Sequence, residues 1–393
     1  MKNHDVVLVE GARTPFAKFC GAFKDVSAIE LGTIAAKEAV AKAGITGDEI
    51  DQVVFGNVIQ SSPDAIFMAR HVGLKTGVGQ SVPGLTVNRL CGSGLEAITT
   101  AARLIQTGEA KVALAGGAEN MTQIPYVVRG ARTGLQLGES AMQDYLWEAL
   151  YDPYGDCTMS ITAENVAEKY NITREEIDLH AYNSHQKALK AIETGYFKEE
   201  IVPVVVKERK GTKTIDQDEQ PRNTSLEVLN KMAPRFKEGG VITPGNASGI
   251  NDGGAAVILA SAQYAEERGL KPLARLVSWG TVGVEPKYMG IGPVEAIRQA
   301  LKKADMQIED LDLVEINEAF SAQYLACQKE LGFNPEIGNV NGGAVALGHP
   351  LGASGARISL SLIYELGRRN KKYGVSSLCI GGGQGIAAIW ERL

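Results

Sequence analysis

A cysteine in a glycine-rich turn, Cys91, is the first residue of this 393-residue chain with the surroundings of a nucleophile. A strand-like run at residues 85–87 enters the turn, and apolar residues at helical spacing leave it and stop before Gly108. The thiol would therefore lie beside the free N–H groups and the positive dipole end of a helix, which predicts a lowered thiol pKa. The alternative is a buried structural cysteine, since free cysteine is among the most buried residue types.

Three stretches in the second half also end apolar, strand-like runs with reactive groups. Residues 314–320 contain Asn317, residues 341–355 contain His349, and residues 379–385 begin with Cys379. Nucleophilic catalysis by cysteine requires a thiol with an imidazole within hydrogen-bond reach. Taken alone, His349 fits the alternative of a structural histidine, and Cys379 fits that of a buried, inert thiol.

An internal repeat connects the two groups of residues. The matching segments, at a constant offset of 261, are 39–43 with 300–304, 49–51 with 310–312, and 90–94 with 351–355. With a few inserted residues, the glycine pair at 116–117 would match the pair at 381–382, which aligns Cys379 near Leu114. We infer a duplication in which the turns near 90 and near 350 are equivalent and face one another. In open α/β sheets, ligands bind in crevices at such strand ends.

Bulk composition narrows the class of protein. The 40 basic and 46 acidic residues give a net charge of −6, and they form no basic stripe for nucleic acid. The longest apolar runs are too short to span a membrane. Five cysteines without close pairing favour a reducing compartment, and no signal-peptide segment is present, so we expect a cytoplasmic protein. No metal site is predicted, because His180 and His185 are five apart on a predicted helix and no CxxC occurs.

Strands alternate with helices along the chain, as in βαβ units, with strands at 6–9, 52–56 and 112–115 and a helix at 29–43. The strand at 112–115 is expected to end in the glycine pair that follows it. Residues 120–250 have no counterpart in the repeat and form an insert. The insert holds a helix with the capping box Thr173-x-x-Glu176 and a strand at 202–206. Its charged run at 207–222 fits a solvent-exposed hairpin better than a phosphate-binding loop. Within this run, Arg222 beside Pro221 is the residue we single out as a candidate.

Together these motifs resemble the thiolase family, which makes and breaks 3-oxoacyl-CoA thioesters. The motifs are NRLCGSG at 88–94, NASGINDG at 246–253, NEAF at 317–320, GGAVALGHPLGASG at 342–355 and CIGGGQG at 379–385. With Arg13-Thr14-Pro15 near the start, the resemblance covers essentially the whole chain. Segments 126–134 and 289–297 are nearest to the mitochondrial-type 3-ketoacyl-CoA thiolases, with biosynthetic acetoacetyl-CoA thiolases close behind.

The resemblance implies an α/β thiolase fold, with two duplicated βαβαβ-type halves in an αβαβα layered arrangement and an inserted loop domain. We assign residues 1–119 plus 250–270 to the N-terminal half and residues 271–393 to the C-terminal half. Residues 120–249 form the inserted, CoA-binding domain.

The resemblance also implies roles for the reactive residues. Cys91 would carry the acyl group, His349 would remove its proton, and Cys379 would move protons on the substrate. His349 and a water held by Asn317 would face the acetyl-CoA thioester oxygen. The backbone N–H groups of Cys91 and Gly381 would face the tetrahedral oxygen on the acyl-enzyme. The candidates for contacts to CoA and the acyl chain are Arg222, Phe236, Ser248, Met159 and Phe320.

The function implied is the reversible condensation of two acetyl-CoA molecules to acetoacetyl-CoA and CoA, extended to longer 3-oxoacyl-CoA, as in fatty acid metabolism and β-oxidation. Coenzyme A and acyl-CoA would be substrates, with no tightly bound cofactor, and the protein would be a homodimer or homotetramer. One departure leaves chain length open: many short-chain thiolases have His-Met in the pocket loop, where this chain has Thr158 before Met159. The alternatives are a decarboxylating ketosynthase-like enzyme and a non-catalytic, thiolase-like lipid-binding protein.

Overall fold

A computed structural model describes residues 5–138 and 141–393. Its strands are β1 (Val6–Arg13), β2 (Ala17–Lys18), β3 (Gln52–Gly56), β4 (Gly84–Val87), β5 (Val112–Asn120), β6 (Tyr126–Val127), β7 (Gln143–Asp144), β8 (Tyr151–Asp152), β9 (Cys157–Thr158), β10 (Val204–Glu208), β11 (Gly211–Ile215), β12 (Asn251–Ser261), β13 (Ala274–Gly283), β14 (Leu313–Ile316), β15 (Tyr373–Ile380) and β16 (Gln384–Arg392). Its α-helices are α1 (Ala28–Ala43), α2 (Met68–Thr76), α3 (Ser93–Gln106), α4 (Tyr145–Ala149), α5 (Met159–Lys169), α6 (Arg174–Glu193), α7 (Leu226–Asn230), α8 (Ala262–Glu267), α9 (Gly292–Ala304), α10 (Ser321–Leu331), α11 (Ala344–Leu347) and α12 (Leu351–Arg368).

Two sheets separate three layers of helices. Strands of the first half lie in the order β1-β12-β5-β3-β4, and those of the second half in the order β14-β15-β16-β13. The two are joined into one continuous hydrogen-bonded sheet where β1 pairs with β13 over two residues of each strand. Helices α3 and α12 pack in a central core between the sheets, while α1 and α2 cover one outer face and α9 and α10 cover the other. The expected αβαβα layering is therefore confirmed.

Residues of one strand alternate between these cores. On β5, Ala113 and Ala115 face the central core, and Val112 and Leu114 face the core under α1 and α2. Strand β16 alternates in the same way between the central and the opposite outer core. This alternation follows from the period of two along a strand, and it makes the sheet strands apolar on both faces.

The internal repeat is visible in matched hydrogen bonds. Asp51 Oδ2 accepts from the backbone N–H groups of residues 111 and 112 at 2.7 and 3.0 Å. Asp312 Oδ2 accepts from those of residues 372 and 373 at 2.9 and 3.0 Å. The offset of 261 thus continues without a break into β5 and β15. Cys379 is equivalent to Ala118, and the expected alignment of Cys379 near Leu114, through an insertion, is wrong.

The central helices α3 and α12 meet through glycines. A Cβ on Gly355 would lie 2.2 Å from the backbone nitrogen of Leu95, and one on Gly94 would lie 2.7 Å from the carbonyl oxygen of Gly352. Gly94 and Gly355 are equivalent in the repeat, so the two copies contact each other through the same position. Because no side chain separates the backbones, the turns at the start of the two helices come together at one edge of the sheets.

Strand β5 is longer than the sequence predicts. It continues through Gly116 and Gly117 to Asn120, and all of its residues are buried. A Cβ on Gly116 would lie 2.2 Å from the carbonyl oxygen of Ala255 on the neighbouring β12. These glycines permit close packing inside the strand and do not end it, so the predicted end at residue 115 is wrong. The predicted helix 29–43 and strand 52–56 match α1 and β3 within one residue.

The insert is anchored to the core by Arg13. Its Nε donates to Glu200 Oε1 at 2.7 Å, and its Nη1 and Nη2 donate to the two carboxylate oxygens of Asp218 at 2.7 and 2.9 Å. Helix α6 has the predicted capping box at Thr173. Strands β10 and β11 form a hairpin that exposes its charged residues, as predicted for the start of the charged run.

The boundaries of the two halves and the insert stay a prediction. Within the described residues, no helix is both long and apolar enough to cross a membrane.

Candidate active site

Cys91 lies in a tight turn between β4 and α3. Leu90 has a left-handed conformation, with φ at 46°, which is uncommon outside glycine. Ser93 Oγ accepts from the Arg89 N–H at 2.9 Å and donates to the Leu90 carbonyl oxygen at 2.7 Å. These bonds fix the turn locally and hold the thiol at the start of the helix.

The thiol of Cys91 is protonated at neutral pH. Burial raises its pKa to about 11, although the backbone N–H groups of Gly381 and of Cys91 donate to the sulfur and oppose that rise. The residue is half-buried and packs against an apolar cluster that includes Ile59 and Leu351. The predicted low pKa is therefore wrong, because desolvation by residues distant in sequence outweighs the helix dipole. A base must remove this proton before the sulfur becomes a nucleophile.

Cys379 brings a second thiol to the same place. It lies at the end of β15 and is fully buried. Burial first, and then the charges of Cys91 and Cys327, hold its pKa well above the ordinary value. A Cβ on Gly92 would lie 2.5 Å from Ile380 Cδ1, so the Cys91 turn abuts the end of β15.

His349 follows Gly348 and is also buried. Its Nδ1 lies 2.6 Å from Ser354 Oγ, and that hydroxyl donates its only hydrogen to the Pro350 carbonyl oxygen at 2.8 Å. Nδ1 must therefore carry the proton and donate to Ser354, which leaves Nε2 with a lone pair. Burial, reinforced by the charge of Arg357, lowers the pKa of His349 to about 3. The ring is a neutral acceptor at Nε2.

Asn317 lies beside this lone pair. Its Nδ2 is 3.4 Å from His349 Nε2, and its backbone N–H donates to the Ser377 carbonyl oxygen at 2.9 Å, two residues before Cys379. Its Oδ1 is buried without a hydrogen-bond partner among the described residues. A buried, unpartnered amide oxygen is costly in a folded protein, so this atom is positioned to hold a ligand or a water molecule.

Three of the residues predicted to contact substrate lie together beside the thiols. Met159, Phe236 and Phe320 belong to or pack against one apolar cluster, which also contains Cys379. The backbone N–H of Ser248 donates to the Ala319 carbonyl oxygen at 3.0 Å, which puts Ser248 next to Phe320.

Arg222 lies at the edge of this region. Its backbone N–H donates to His185 Nδ1 at 3.4 Å, and its Nη2 donates to the Pro244 carbonyl oxygen at 3.5 Å. Its Nε has no partner among the described residues. Arg222 thus offers a free donor, but it is not drawn into the cluster around Cys379.

A cleft of about 560 Å³ opens beside the Cys91 turn. One wall is formed by Leu90, Gly381 and Met159, and the backbone N–H of Gly381 donates to the Cys91 sulfur. The opposite wall comes from the insert and mixes apolar and aromatic residues with the ion pair of Arg129 and Glu148. A cleft of this size and composition fits a small organic ligand.

Sequence reasoning missed Glu119, a buried residue that accepts four hydrogen bonds near the site. The donors are Asn57 Nδ2 and the backbone N–H groups of Val58, Ile59 and Gly352, at 2.9 to 3.1 Å. Burial raises its pKa to about 7. The only signal in the sequence is a carboxylate that follows a run of small residues in a buried strand.

Sequence comparison gives the chain its relatives. The family descriptions "Thiolase, N-terminal domain" and "Thiolase, C-terminal domain" match residues 6–263 and 270–392. The chain is 49% identical over 393 residues to the beta-ketothiolase BktB of Cupriavidus necator, and 46% identical over 396 residues to an acetyl-CoA acetyltransferase of Syntrophomonas wolfei; both matches cover 100% of each chain. Human mitochondrial 3-ketoacyl-CoA thiolase has the same fold, with a TM-score of 0.98 at 48% identity over 100% of both chains. Its complex with CoA gives 0.97 at 47% identity, over 100% of this chain and 99% of that one.

Proposed function

The chain belongs to the thiolase family of acyltransferases, and we propose that it condenses two acetyl-CoA molecules to acetoacetyl-CoA and CoA through an acyl group on Cys91. The reverse reaction, thiolysis, follows the same path backwards. The observation that carries the proposal is the contact between the Cys91 turn and the end of β15, where Cys379 lies, together with the Gly381 N–H that donates to the Cys91 sulfur.

The first half-reaction loads Cys91. Nε2 of His349 takes the thiol proton, and the thiolate attacks the thioester carbonyl of acetyl-CoA. The N–H groups of Cys91 and Gly381 donate to the oxyanion that forms, as two backbone donors do in other acyl transfers. The CoA thiolate then leaves and takes a proton from Cys379. At this stage Cys91 is acetylated, His349 is an imidazolium and Cys379 is a thiolate.

The second half-reaction makes the carbon–carbon bond. Cys379 takes a proton from the methyl group of a second acetyl-CoA, and the enolate oxygen accepts a hydrogen bond from the Nε2–H of His349, which keeps its proton. A water molecule held by Asn317 Oδ1 is the second donor to that oxygen. The enolate carbon attacks the acetyl carbonyl on Cys91, whose sulfur leaves and recovers its proton from His349. All three groups then return to their starting protonation states.

The contacts to CoA are part of the same proposal. Met159 and Phe320 would line the acyl and pantetheine end, and Ser248 and Phe236 would follow the pantetheine outward. Arg222, with a free donor at the edge of the region, would pair with a phosphate of CoA.

We extend the proposal to longer 3-oxoacyl-CoA substrates, as expected from the cleft beside Leu90 and Gly381. Thr158 supports this extension, because its side chain caps helix α5 through the Ile161 N–H and does not fill the cleft. Specific activity along a ladder of 3-oxoacyl-CoA lengths tests it. Activity restricted to acetoacetyl-CoA would overturn the extension and leave the thiolase assignment intact.

Neither rival function is favoured. A decarboxylating ketosynthase needs no second thiol, whereas here the thiol of Cys379 lies close enough to Cys91 for their charges to interact. A non-catalytic lipid-binding protein has no need of a base, whereas His349 keeps a lone pair on Nε2.

The decisive experiment is trapping of the acyl-enzyme. Incubation with radiolabelled acetyl-CoA should label the wild-type chain stoichiometrically, and Cys91→Ala should lose the label. Cys20→Ala is the matched control, because Cys20 is a free, exposed cysteine outside the site and should keep full labelling. Stoichiometric label on Cys91→Ala would overturn the assignment.

We also propose that the protein is a homodimer or a dimer of dimers. Strand β4 ends its sheet, and its residue Leu85 is 47% exposed; Phe67, just before α2, is also exposed. An unpaired, apolar edge of this kind is usually covered by another chain. Light scattering after size exclusion tests this, and a monomer at micromolar concentration would contradict it. A cytoplasmic location remains our proposal, supported by five cysteines that are all free, although several relatives are mitochondrial by name.

A further inference from the structure

Helix α12 carries a polar stripe that begins at the active site and runs away from it. Ser354, Arg357 and Ser361 follow one another at spacings of three and four residues, so they share one face of the helix. Ser354 receives the Nδ1–H of His349. Ser361 Oγ donates to Glu200 Oε2 at 2.7 Å, which joins the stripe to the insert.

Arg357, in the middle of the stripe, is a buried cation with incomplete partners. It is 1% exposed, and its Nη1 makes one long contact of 3.4 Å to Glu315 Oε1. Its Nε and Nη2 have no hydrogen-bond partner among the described residues. A buried guanidinium held this loosely costs stability, since burial of charge is repaid only by good pairing. Stability therefore does not explain why an arginine occupies this position.

The charges around Arg357 come from three other elements. Glu315 lies on β14, Arg13 on β1, and Glu200 and Asp218 in the insert. Glu200 and Asp218 are both bonded to Arg13, so Glu315 is left as the direct partner of Arg357. Burial raises the pKa of Glu315, and its one contact with the guanidinium is 3.4 Å long, so this carboxyl pairs weakly with Arg357. The guanidinium charge is consequently little neutralised.

His349 is the neighbour on which this charge acts. Arg357 is one helical turn beyond Ser354, the residue that holds the ring, and its charge lowers the pKa of His349 in addition to the larger effect of burial. The groups that contact His349 from other elements, Asn251 on β12 and Asn317 after β14, are uncharged. Among the described residues, Arg357 is the charged group that acts on the ring.

We propose that Arg357 is a positioning residue that holds a fixed positive charge behind Ser354 and keeps His349 a neutral base. The same charge makes the imidazolium a stronger acid, so that the proton taken from Cys91 is readily returned at the end of the cycle. This inference rests on the proposed role of His349 as the base for Cys91.

The test is the rate at which Cys91 is alkylated by iodoacetamide at pH 7, followed by mass spectrometry of the Cys91 peptide. Arg357→Met removes the charge, so His349 becomes a better base and the rate should rise by about three- to tenfold. Arg357→Lys restores the charge and should react like the wild type. Turnover of Arg357→Met should fall, because its imidazolium gives back the proton less readily.

An internal control distinguishes the effect of the lost charge on the alkylation rate from an effect of loosened packing. Cys327 is fully buried in helix α10 and donates to the Gly290 carbonyl oxygen, so it should stay unmodified in every variant. Equal reactivity of Arg357→Met and wild type, labelling of Cys327 in step with Cys91, or failure of Arg357→Lys to restore the wild-type rate would each overturn the proposal. If Arg357→Met does not fold, the double variant Arg357→Met, Glu315→Gln replaces it with the same expectation, since it also removes the partner carboxyl.

A further variant separates this inference from the proposed function. His349→Ala should slow alkylation of Cys91 and abolish the effect of Arg357→Met. If His349→Ala leaves the rate unchanged, the assignment of His349 as the base fails. If His349→Ala slows the reaction and Arg357→Met has no effect, only the role of Arg357 fails.

Discussion

Removal of the Ser354 hydroxyl should impair His349 as a base without changing the imidazole ring itself. In the wild type, Ser354 Oγ accepts the Nδ1–H of His349 at 2.6 Å and so fixes the lone pair on Nε2. Ser354→Ala leaves a buried N–H without an acceptor and frees the ring to take the other tautomer, in which Nε2 carries the proton. The imidazolium, which has two N–H groups, also loses its partner.

The size of the effect follows from the lost bond. An unsatisfied buried donor costs roughly 1–3 kcal/mol, and if that cost falls on the steps in which His349 moves a proton, turnover falls about 5- to 150-fold. The loss should be in kcat more than in KM, because the bond acts on the chemistry and not on CoA binding. Thiolysis of acetoacetyl-CoA, followed at the enolate absorbance, measures both constants.

Ser359→Ala is the matched control. Ser359 is buried on the same helix, and its Oγ donates to the Gly355 carbonyl oxygen at 2.9 Å, as Ser354 donates to Pro350. It does not contact His349 in the described structure. Both variants should lose similar stability on thermal unfolding, and only Ser354→Ala should lose turnover. Equal activity in the two variants would refute the tautomer argument.

Three further predictions follow from other parts of the molecule. Asn317→Ala removes the Oδ1 acceptor and should lower kcat by roughly 10²- to 10³-fold, as loss of one oxyanion donor does. Acylation of Cys91 by labelled acetyl-CoA should persist in this variant. Loss of both turnover and acylation would contradict the role of Asn317. Gly355→Ala puts a methyl group 2.2 Å from the Leu95 nitrogen and should cost more than about 3 kcal/mol of unfolding free energy, whereas Gly367→Ala, in the open last turn of α12, should gain about 0.5–1 kcal/mol. The pKa of the Glu318 carboxylate is lowered to about 2 by His180 and by hydrogen bonds, which outweigh the opposing effect of burial. The carboxylate therefore stabilises the fold by on the order of 3 kcal/mol above pH 4.5, and this stabilisation is lost as the pH falls toward 2. Glu318→Gln should flatten that part of the curve of unfolding free energy against pH, and an unchanged curve would contradict the assignment.

Local chemistry and periodicity were enough to locate the reactive turns. Cys91 does lie between a strand and a helix, and His349 and Cys379 do end apolar segments. The repeat predicted that the turns near 90 and 350 meet, and the contact between Gly94 and Gly355 bears this out. These signals are readable because each depends on neighbours in sequence or on a fixed offset.

The errors have the opposite origin. The pKa of Cys91 depends on burial by Ile59 and Leu351, which no local pattern around residue 91 reveals. Matching the two glycine pairs by identity predicts the wrong register of the repeat near Cys379, because the pairs serve different purposes. In β5 such a pair lies inside the strand, where a neighbouring backbone comes close, whereas at 381–382 it lies in the turn after β15.

The contact between Gly94 and Gly355 also bears on the history of the chain. Each half supplies part of the candidate site: the first brings the sulfur of Cys91, and the second brings the imidazole of His349 and the sulfur of Cys379. A single copy that paired with itself in the same way would present the same glycine to its twin across a twofold axis. Because the reactive groups are divided between the copies, neither half alone holds both the Cys91 sulfur and the His349 imidazole.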